Sequence, residues 1–318
     1  MRILVISFFI LGICNAATGQ LNFNQDSAYN FTKQQVAFGP RVPGTPGHSK
    51  CAQYFVKKFT QYKAKVIVQR FEADLYDGKS VKLQNIIASY NPDASKRIIL
   101  SAHWDTRSIA DKDSLNKNSP IDGANDGASG PGVLLEIARQ LSEVSINPKL
   151  GIDIIFFDGE DQGEPLGYKL TRTIENAGKI WWCLGSQYWS ENPHQKNYKA
   201  KFGILLDMVG APNATFYKEG GSMQFAAKYM NMVWRIAQKN GHADYFINKK
   251  VPGIMDDHIF VSNDANIPML NIIHFNLENE DNFPAYHHTH EDNLQTISPI
   301  TLQVVGETIL LALMKHGL

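Results

Sequence analysis

Two adjacent acidic side chains, Glu160 and Asp161, are the residues of this sequence best placed to do chemistry. They follow a β-branched and aromatic run at 152–157, which is typical of a buried parallel strand, and ligands bind at the carboxyl ends of such strands. Neighbouring carboxylates repel each other unless one binds a cation and the other takes a proton. We therefore expect one metal ligand and one general base, although an isolated Glu-Asp pair is also typical of a solvated turn.

Further acids and histidines stand at the carboxyl ends of other predicted strands, or in the loop before a helix. These residues are His103, Asp105, Asp126, Asp207, His287 and His288. Parallel strands present their carboxyl ends at one edge of a sheet, so we expect these side chains to converge. Carboxylates and imidazoles without thiols suit a catalytic Zn²⁺, which takes about three protein ligands and leaves one position open. Mg²⁺ and Ca²⁺ prefer sites made of oxygen alone.

The elements that must hold these residues alternate along the chain, which predicts one α/β domain with a mostly parallel central sheet flanked by helices. Periodicity predicts helices at 28–38, 49–62, 131–144, 222–239 and 298–313. It predicts strands at 65–71, 81–90, 97–103, 152–157, 202–209 and 269–275, with an antiparallel edge near 65–90. The segment 162–201 reads as loop-rich, and no linker divides the chain.

Composition and the N-terminus limit the class of protein. The 318 residues carry 31 acidic and 31 basic side chains, which argues against a nucleic-acid partner. Residues 1–19 have the positive start, apolar core and small residues of a secretory signal peptide, which leaves 20–318 as the mature catalytic domain without a transmembrane segment. We expect export to the periplasm, either soluble or attached to the membrane. Pairing of Cys51 with Cys183 and the oligomeric state stay open.

Five motifs resemble the zinc aminopeptidase superfamily, and the likeness runs from about Gly39 to the C-terminus. They are Ser101-Ala102-His103-x-Asp105, Gly123-Ala124-Asn125-Asp126, Glu160-Asp161, Leu206-Asp207 and His288-Thr289. Within that superfamily the chain is more similar to single-zinc relatives, the animal-type glutaminyl cyclases (glutaminyl-peptide cyclotransferases), and its export fits a bacterial member. The motifs shared with them are Phe157-Asp158-Gly159-Glu160, Gly210-Ala211-Pro212, Asp256-Asp257-His258-Ile259 and Phe283-Pro284-x-x-x-His288-Thr289.

This resemblance implies an enzyme that converts the N-terminal glutamine of peptides and proteins to pyroglutamate and releases ammonia. It implies one Zn²⁺ per chain, held by Asp126, Asp161 and His288. It implies three catalytic acids, namely Glu160 as general acid/base and an acid relay of Asp207 and Asp256. We also expect Trp182, Phe283 and His287 to line the substrate pocket, although Trp182 could instead anchor its loop and Phe283 could instead be a core plug. The chain departs from the cyclases at Asp161, where many have Glu, and at His287, where the animal enzymes have Trp.

Two other functions remain as alternatives. A dizinc aminopeptidase would release N-terminal amino acids and would use His103 as a ligand of a second zinc. The Asp256-Asp257-His258 motif argues against that activity. A non-catalytic binding domain would keep the fold but would usually have lost Glu160 or a metal ligand, and this sequence keeps them all.

The N-terminus offers a direct test of export. Cleavage could fall after Ala16 or after Gly19; in the second case Gln20 becomes the first residue, and an enzyme of this kind would act on its own terminus. We expect mass spectrometry of the exported protein to show a start at residue 20 with one ammonia lost. A start at Ala17 or Cys14 would contradict this expectation.

Overall fold

The computed structural model of the protein describes residues 21–169 and 177–318, so the predicted signal peptide lies outside the described residues. The described residues form a short 3-10 helix (Leu294–Thr296) and seven α-helices, namely α1 (Gln25–Val36), α2 (Pro46–Gln61), α3 (Ser129–Glu143), α4 (Leu184–Glu191), α5 (Gly220–Lys239), α6 (Asp257–Asn263) and α7 (Pro299–Lys315). Eight strands are β1 (Lys65–Asp74), β2 (Ser80–Tyr90), β3 (Lys96–His103), β4 (Leu150–Phe157), β5 (Phe202–Asp207), β6 (Phe216–Lys218), β7 (Phe246–Lys250) and β8 (Met269–Ile273). None of the described helices is both long enough and apolar enough to cross a membrane.

Six strands form the central sheet in the order β1-β2-β4-β3-β5-β8. Strands β4, β3, β5 and β8 run parallel, whereas β1 and β2 form the antiparallel edge. The predicted mostly parallel α/β sheet with an antiparallel edge is therefore confirmed. Because four parallel strands end at the same edge, the loops that carry the acids and histidines start from one place.

Alternate residues of the central strand face two different layers, because side chains along a strand point to opposite sides. Ile154 and Phe156 of β4 pack in the core that also holds side chains of α1, α2, α3, α5 and α7. Ile155 and Phe157 face the other layer, where Trp189 of α4 and a valine of α6 cover the sheet. Burial on both faces explains why this strand reads as an almost continuous apolar run.

Several predicted boundaries shift for identifiable reasons. Helix α2 starts before the predicted residue 49, because the Thr45 side chain accepts a hydrogen bond from the backbone N–H of His48 and Pro46 fits the first helical turn. Strand β5 ends at Asp207, two residues early, because Met208 takes a left-handed conformation with φ 46°. The prediction that 162–201 is loop-rich misses α4, and the short elements β6, β7 and α6 are also missed.

A buried ion pair lies in the middle of the sheet. The guanidinium of Arg97 donates two hydrogen bonds of 2.6 Å to the carboxylate of Asp153, and both side chains are almost wholly buried. The hydroxyls of Ser89 and Tyr198 donate to the same carboxylate. Asp153 is the one polar interruption of the β4 run, and these four donors account for it.

Removing this carboxylate would leave the Arg97 guanidinium buried without a counter-charge. We expect Asp153→Ala to lower the free energy of unfolding by about 3–5 kcal/mol, measured by urea denaturation. The control is Glu72→Ala, which removes an exposed carboxylate 3.8 Å from Lys82 and should change stability by less than about 1 kcal/mol. Equal losses in the two variants would contradict this view of the pair.

Candidate active site

A pocket of about 520 Å³ opens at the carboxyl edge of the parallel strands. Its lining includes the nine side chains to which the resemblance to the cyclases gives a role, whereas His103 and Asp105 lie outside it; the nine are Asp126, Glu160, Asp161, Trp182, Asp207, Asp256, Phe283, His287 and His288. The volume lies within the range of sites that bind small ligands. The structure thus brings the predicted residues together, whereas the role of each one remains a prediction.

Three buried side chains offer free electron pairs to a metal ion. The Nε2 atom of His288 lies 3.1 Å from Oδ1 of Asp161 and 3.7 Å from Oδ2 of Asp126. Among the described residues, no group donates a hydrogen bond to Oδ2 of Asp126 or to either carboxylate oxygen of Asp161. Buried carboxylate oxygens are costly without a partner. The donor set of two carboxylates and one imidazole fits Zn²⁺.

His287 is a fourth candidate, because its Nε2 lies 3.7 Å from Oδ2 of Asp126. The ammonium of Lys112, however, donates to Nδ1 of His287 at 2.7 Å. A neutral imidazole that accepts at Nδ1 carries its proton on Nε2, which then has no electron pair for a metal. Burial and the neighbouring His288 hold the pKa of His287 well below its usual value, so the ring is neutral. Its Nε2–H therefore acts as a hydrogen-bond donor in the pocket, and Asp161 is the better third ligand.

Residues behind His288 fix its orientation. The Nδ1 atom of His288 lies 3.4 Å from Oδ1 of Asp111, and Arg107 holds that carboxylate with two hydrogen bonds of 2.8 Å. A carboxylate on the far nitrogen keeps the near nitrogen free for a metal. The Trp182 ring lies parallel to His288 with its centroid 6.0 Å away, and the Arg107 guanidinium lies 4.6 Å from the Trp182 ring. Gly163 allows this arrangement, because any Cβ there would collide with the indole.

Two buried carboxylates hold the loops that carry the acids. The carboxylate of Asp105 accepts hydrogen bonds from the backbone N–H groups of Glu160 (3.0 Å) and Asp161 (3.1 Å). That of Asp292 accepts from the N–H groups of Asn125 (2.7 Å) and Asp126 (3.0 Å). Burial, and then the charge of Asp126, raises the pKa of Asp292 to about 8. Each loop is thus fixed through its backbone, which leaves its acidic side chains free to face the pocket.

His103, at the end of β3, lies between two of the acids. Its Nε2 is 3.0 Å from Oδ1 of Asp126 and 3.1 Å from Oδ1 of Asp207. Burial disfavours a charge on the ring, but the nearby carboxylates of Asp105, Asp126 and Asp207 outweigh it and raise the pKa of His103 well above its usual value. A protonated His103 neutralises these acids in the place where a second metal ion would lie.

The three acids with predicted catalytic roles share one environment. Burial, together with the charges of Asp256 and Asp161, raises the pKa of Glu160 well above its usual value, although His103 opposes the shift. Burial and the charge of Asp207 raise the pKa of Asp256 to about 7. A carboxyl group with a raised pKa can hold a proton near neutral pH, as a general acid or base must. Asp256 also accepts a hydrogen bond from the Asn271 amide at 2.6 Å. The acid relay between Asp207 and Asp256 stays a prediction.

Two histidines that are not proposed as metal ligands, His258 and His274, have hydrogen-bond partners of their own. His258 bonds the buried carboxylate of Glu219 at 3.0 Å, and Nδ1 of His274 lies 3.1 Å from the hydroxyl of Tyr286. Sequence reasoning missed a set of supporting residues, namely Arg107, Asp111, Lys112 and Asp292. Asp292 belongs to the polar run after His288, which was a usable signal. The other three have no distinctive pattern around them.

The contact between Asp111 and His288 can be tested through metal affinity. We expect Asp111→Asn to weaken zinc binding about 10- to 100-fold, because the charged partner of His288 Nδ1 is lost. The measurement is competition against a chelating dye. Asp113→Asn is the matched control, since Asp113 bonds the exposed His290 at 2.7 Å and does not line the pocket. Equal zinc affinity in both variants would show that Asp111 does not support the site.

The chain is similar in sequence and in structure to known proteins. A sequence model of peptidase family M28 matches residues 85–313. The solved glutaminyl cyclase of Tannerella forsythia is 46% identical, with 92% of this chain and 98% of that chain covered and a TM-score of 0.87. A structure from Bacteroides thetaiotaomicron, described as a leucine aminopeptidase precursor, is 48% identical over 91% of this chain and 96% of that chain, with a TM-score of 0.84.

The chain is also similar to a glutaminyl-peptide cyclotransferase from an animal. The glutaminyl-peptide cyclotransferase of Drosophila melanogaster is 27% identical over 288 residues, which cover 82% of this chain and 73% of that protein. The match to the family model extends over well more than half of the chain and includes each of the three metal-ligand candidates, Asp126, Asp161 and His288. The chain therefore belongs to peptidase family M28.

Proposed function

We propose that this protein is a glutaminyl-peptide cyclotransferase, which closes the N-terminal glutamine of peptides and proteins to pyroglutamate and releases ammonia. The observation that carries the proposal is a second acid beside the candidate base, since Glu160, Cys183 and Asp256 offer atoms within 4.8 Å of one another. Asp256 belongs to the motif that resembles the cyclases rather than the peptidases. Similarity to the Tannerella forsythia enzyme supports the same activity.

The proposal includes one zinc ion per chain, held by Asp126, Asp161 and His288. The unpartnered carboxylate oxygens around His288 Nε2 support this ligand set. When bound, the ion would act as a Lewis acid towards the γ-carbonyl oxygen of the substrate glutamine. His103 supports the single-metal form, because it already lies between Asp126 and Asp207.

Glu160 would move the proton that the reaction requires. The α-amine of the substrate attacks the δ-carbon of its own side chain, so a C–N bond forms while the amine loses a proton. Glu160 accepts that proton and returns it to the departing amide nitrogen, and the second C–N bond breaks to give ammonia. The raised pKa of Glu160 suits a group that takes and returns one proton in each cycle. Asp256 and Asp207 would share negative charge and protons with Glu160 during this transfer.

The aromatic side chains that line the pocket would orient the substrate and keep water away from the reacting atoms. The rings of Phe283 and His287 stack with their centroids 4.2 Å apart, and the Trp182 ring lies beside His288. Such faces would hold the glutamine chain in a bent conformation with its amine near its own carbonyl. The Nε2–H of His287 would donate to a substrate oxygen. Intramolecular attack requires no water, so a dry pocket suppresses hydrolysis without loss of rate.

A dizinc aminopeptidase remains the second candidate, because one observation favours it. His103, Asp126 and Asp207 also offer atoms within 4.8 Å of one another and could hold a second ion if His103 were deprotonated. The similarity to the leucine aminopeptidase precursor is consistent with this alternative.

The proposed location is the periplasm, with 1–19 as the signal peptide and 20–318 as the catalytic domain.

A peptide assay separates the two activities. We expect the purified protein to release ammonia from a dipeptide that begins with glutamine, without cleavage of the peptide bond, and a chelator to abolish the reaction. Glu160→Gln should lower kcat about 10²- to 10⁴-fold, because the proton carrier is lost while the metal ligands remain. Glu72→Gln, on the exposed edge strand, is the control and should keep full activity. Release of free N-terminal amino acids would instead establish a peptidase.

A further inference from the structure

The candidate base Glu160 has a close neighbour that the proposed reaction has not used. The thiol of Cys183 donates a hydrogen bond to Oε1 of Glu160, with Sγ 3.3 Å from the oxygen. Cys183 is fully buried and forms no disulfide. It does not line the pocket, whereas Glu160 does. The thiol thus contacts Glu160 from outside the pocket lining.

The backbone reinforces this contact. The N–H of Cys183 donates to the carbonyl oxygen of Glu160 at 2.9 Å, and the N–H of Leu184 donates to that of Gly159 at 3.1 Å. Cys183 is the N-cap residue of α4 and takes a left-handed conformation with φ 59°. Non-glycine residues seldom adopt this conformation, and it persists only where surrounding contacts hold it. Here it allows the backbone and the side chain of one residue to bond the same glutamate.

The thiol is suited to the donor role. Burial, and then the charge of Glu160, raises the pKa of Cys183 well above its usual value, so the sulfur keeps its proton. A protonated thiol can donate to a carboxylate oxygen, although more weakly than a hydroxyl. Within the described residues, Glu160 receives one side-chain hydrogen bond, from Cys183; its Oε2 lies 3.9 Å from Nδ1 of His103.

We propose that Cys183 is a positioning residue for the cyclisation: its thiol fixes the rotation of the Glu160 carboxylate so that Oε2 faces the substrate amine. This inference rests on the proposed function. Without the thiol, the carboxylate rotates among several orientations and fewer of them allow proton transfer. The contact lies behind Glu160, so substrate binding and metal binding do not depend on it.

The test compares Cys183→Ala with Cys183→Ser. Both keep a Cβ at a left-handed position, so backbone strain is matched, and only the serine keeps a donor. With a glutamine dipeptide and zinc present, we expect Cys183→Ala to lower kcat roughly tenfold with KM within about twofold of wild type. Cys183→Ser should recover most of that loss, because its hydroxyl can approach Glu160 after a small shift.

Cys51 provides the control for the loss of a buried thiol. It is also free and fully buried, in α2, and Cys51→Ala should lower the melting temperature without changing kcat. A kcat of Cys183→Ala within twofold of wild type would overturn the inference, as would equal kcat values for the alanine and serine variants. If the wild type itself releases no ammonia, the proposed function fails. An active wild type with an unaffected Cys183→Ala refutes the positioning role alone.

Discussion

Mutual repulsion among buried carboxylates is the constraint on which the rest of this structure depends. Seven acids converge at the carboxyl edge of the sheet, namely Asp105, Asp126, Glu160, Asp161, Asp207, Asp256 and Asp292. Each needs a proton, a hydrogen-bond donor or a cation to be tolerable in such an environment. Backbone N–H groups satisfy Asp105 and Asp292, and His103 satisfies Asp207. Neither carboxylate oxygen of Asp161 receives a hydrogen bond from the described residues, which supports our proposal that a cation binds there.

The same constraint bears on the choice between the cyclase and the dizinc peptidase for this chain. A second metal ion would have to replace the proton of His103, which lies between Asp126 and Asp207. The carboxylates of Asp105, Asp126 and Asp207 favour the protonated state of His103. A site with one metal ion and a shared set of protons suits an internal attack by an amine. A hydrolase, in contrast, must also generate a hydroxide, which a second ion assists.

The sequence predicted the parts of this site that follow from strand ends and motifs. Buried parallel strands are recognisable from their apolar runs, and their carboxyl ends must meet, so the convergence of Asp126, Asp161 and His288 could be predicted. The supporting contacts could not, because they depend on how loops fold over one another. Arg107 reaches the Trp182 ring across more than fifty residues of chain, and Cys183 meets Glu160 only through a left-handed turn. Short elements such as β6 and α4 also lack enough residues to show a period.

Anomalous X-ray diffraction at the zinc edge, from crystals grown with excess zinc, would count and locate the zinc ions in the pocket. We expect one zinc peak in the pocket, bonded to Asp126, Asp161 and His288, with His103 still paired to Asp207 and no metal within bonding distance of it. A second peak bonded to His103 and Asp207 would contradict the single-metal account and would make the dizinc peptidase the better description of this protein.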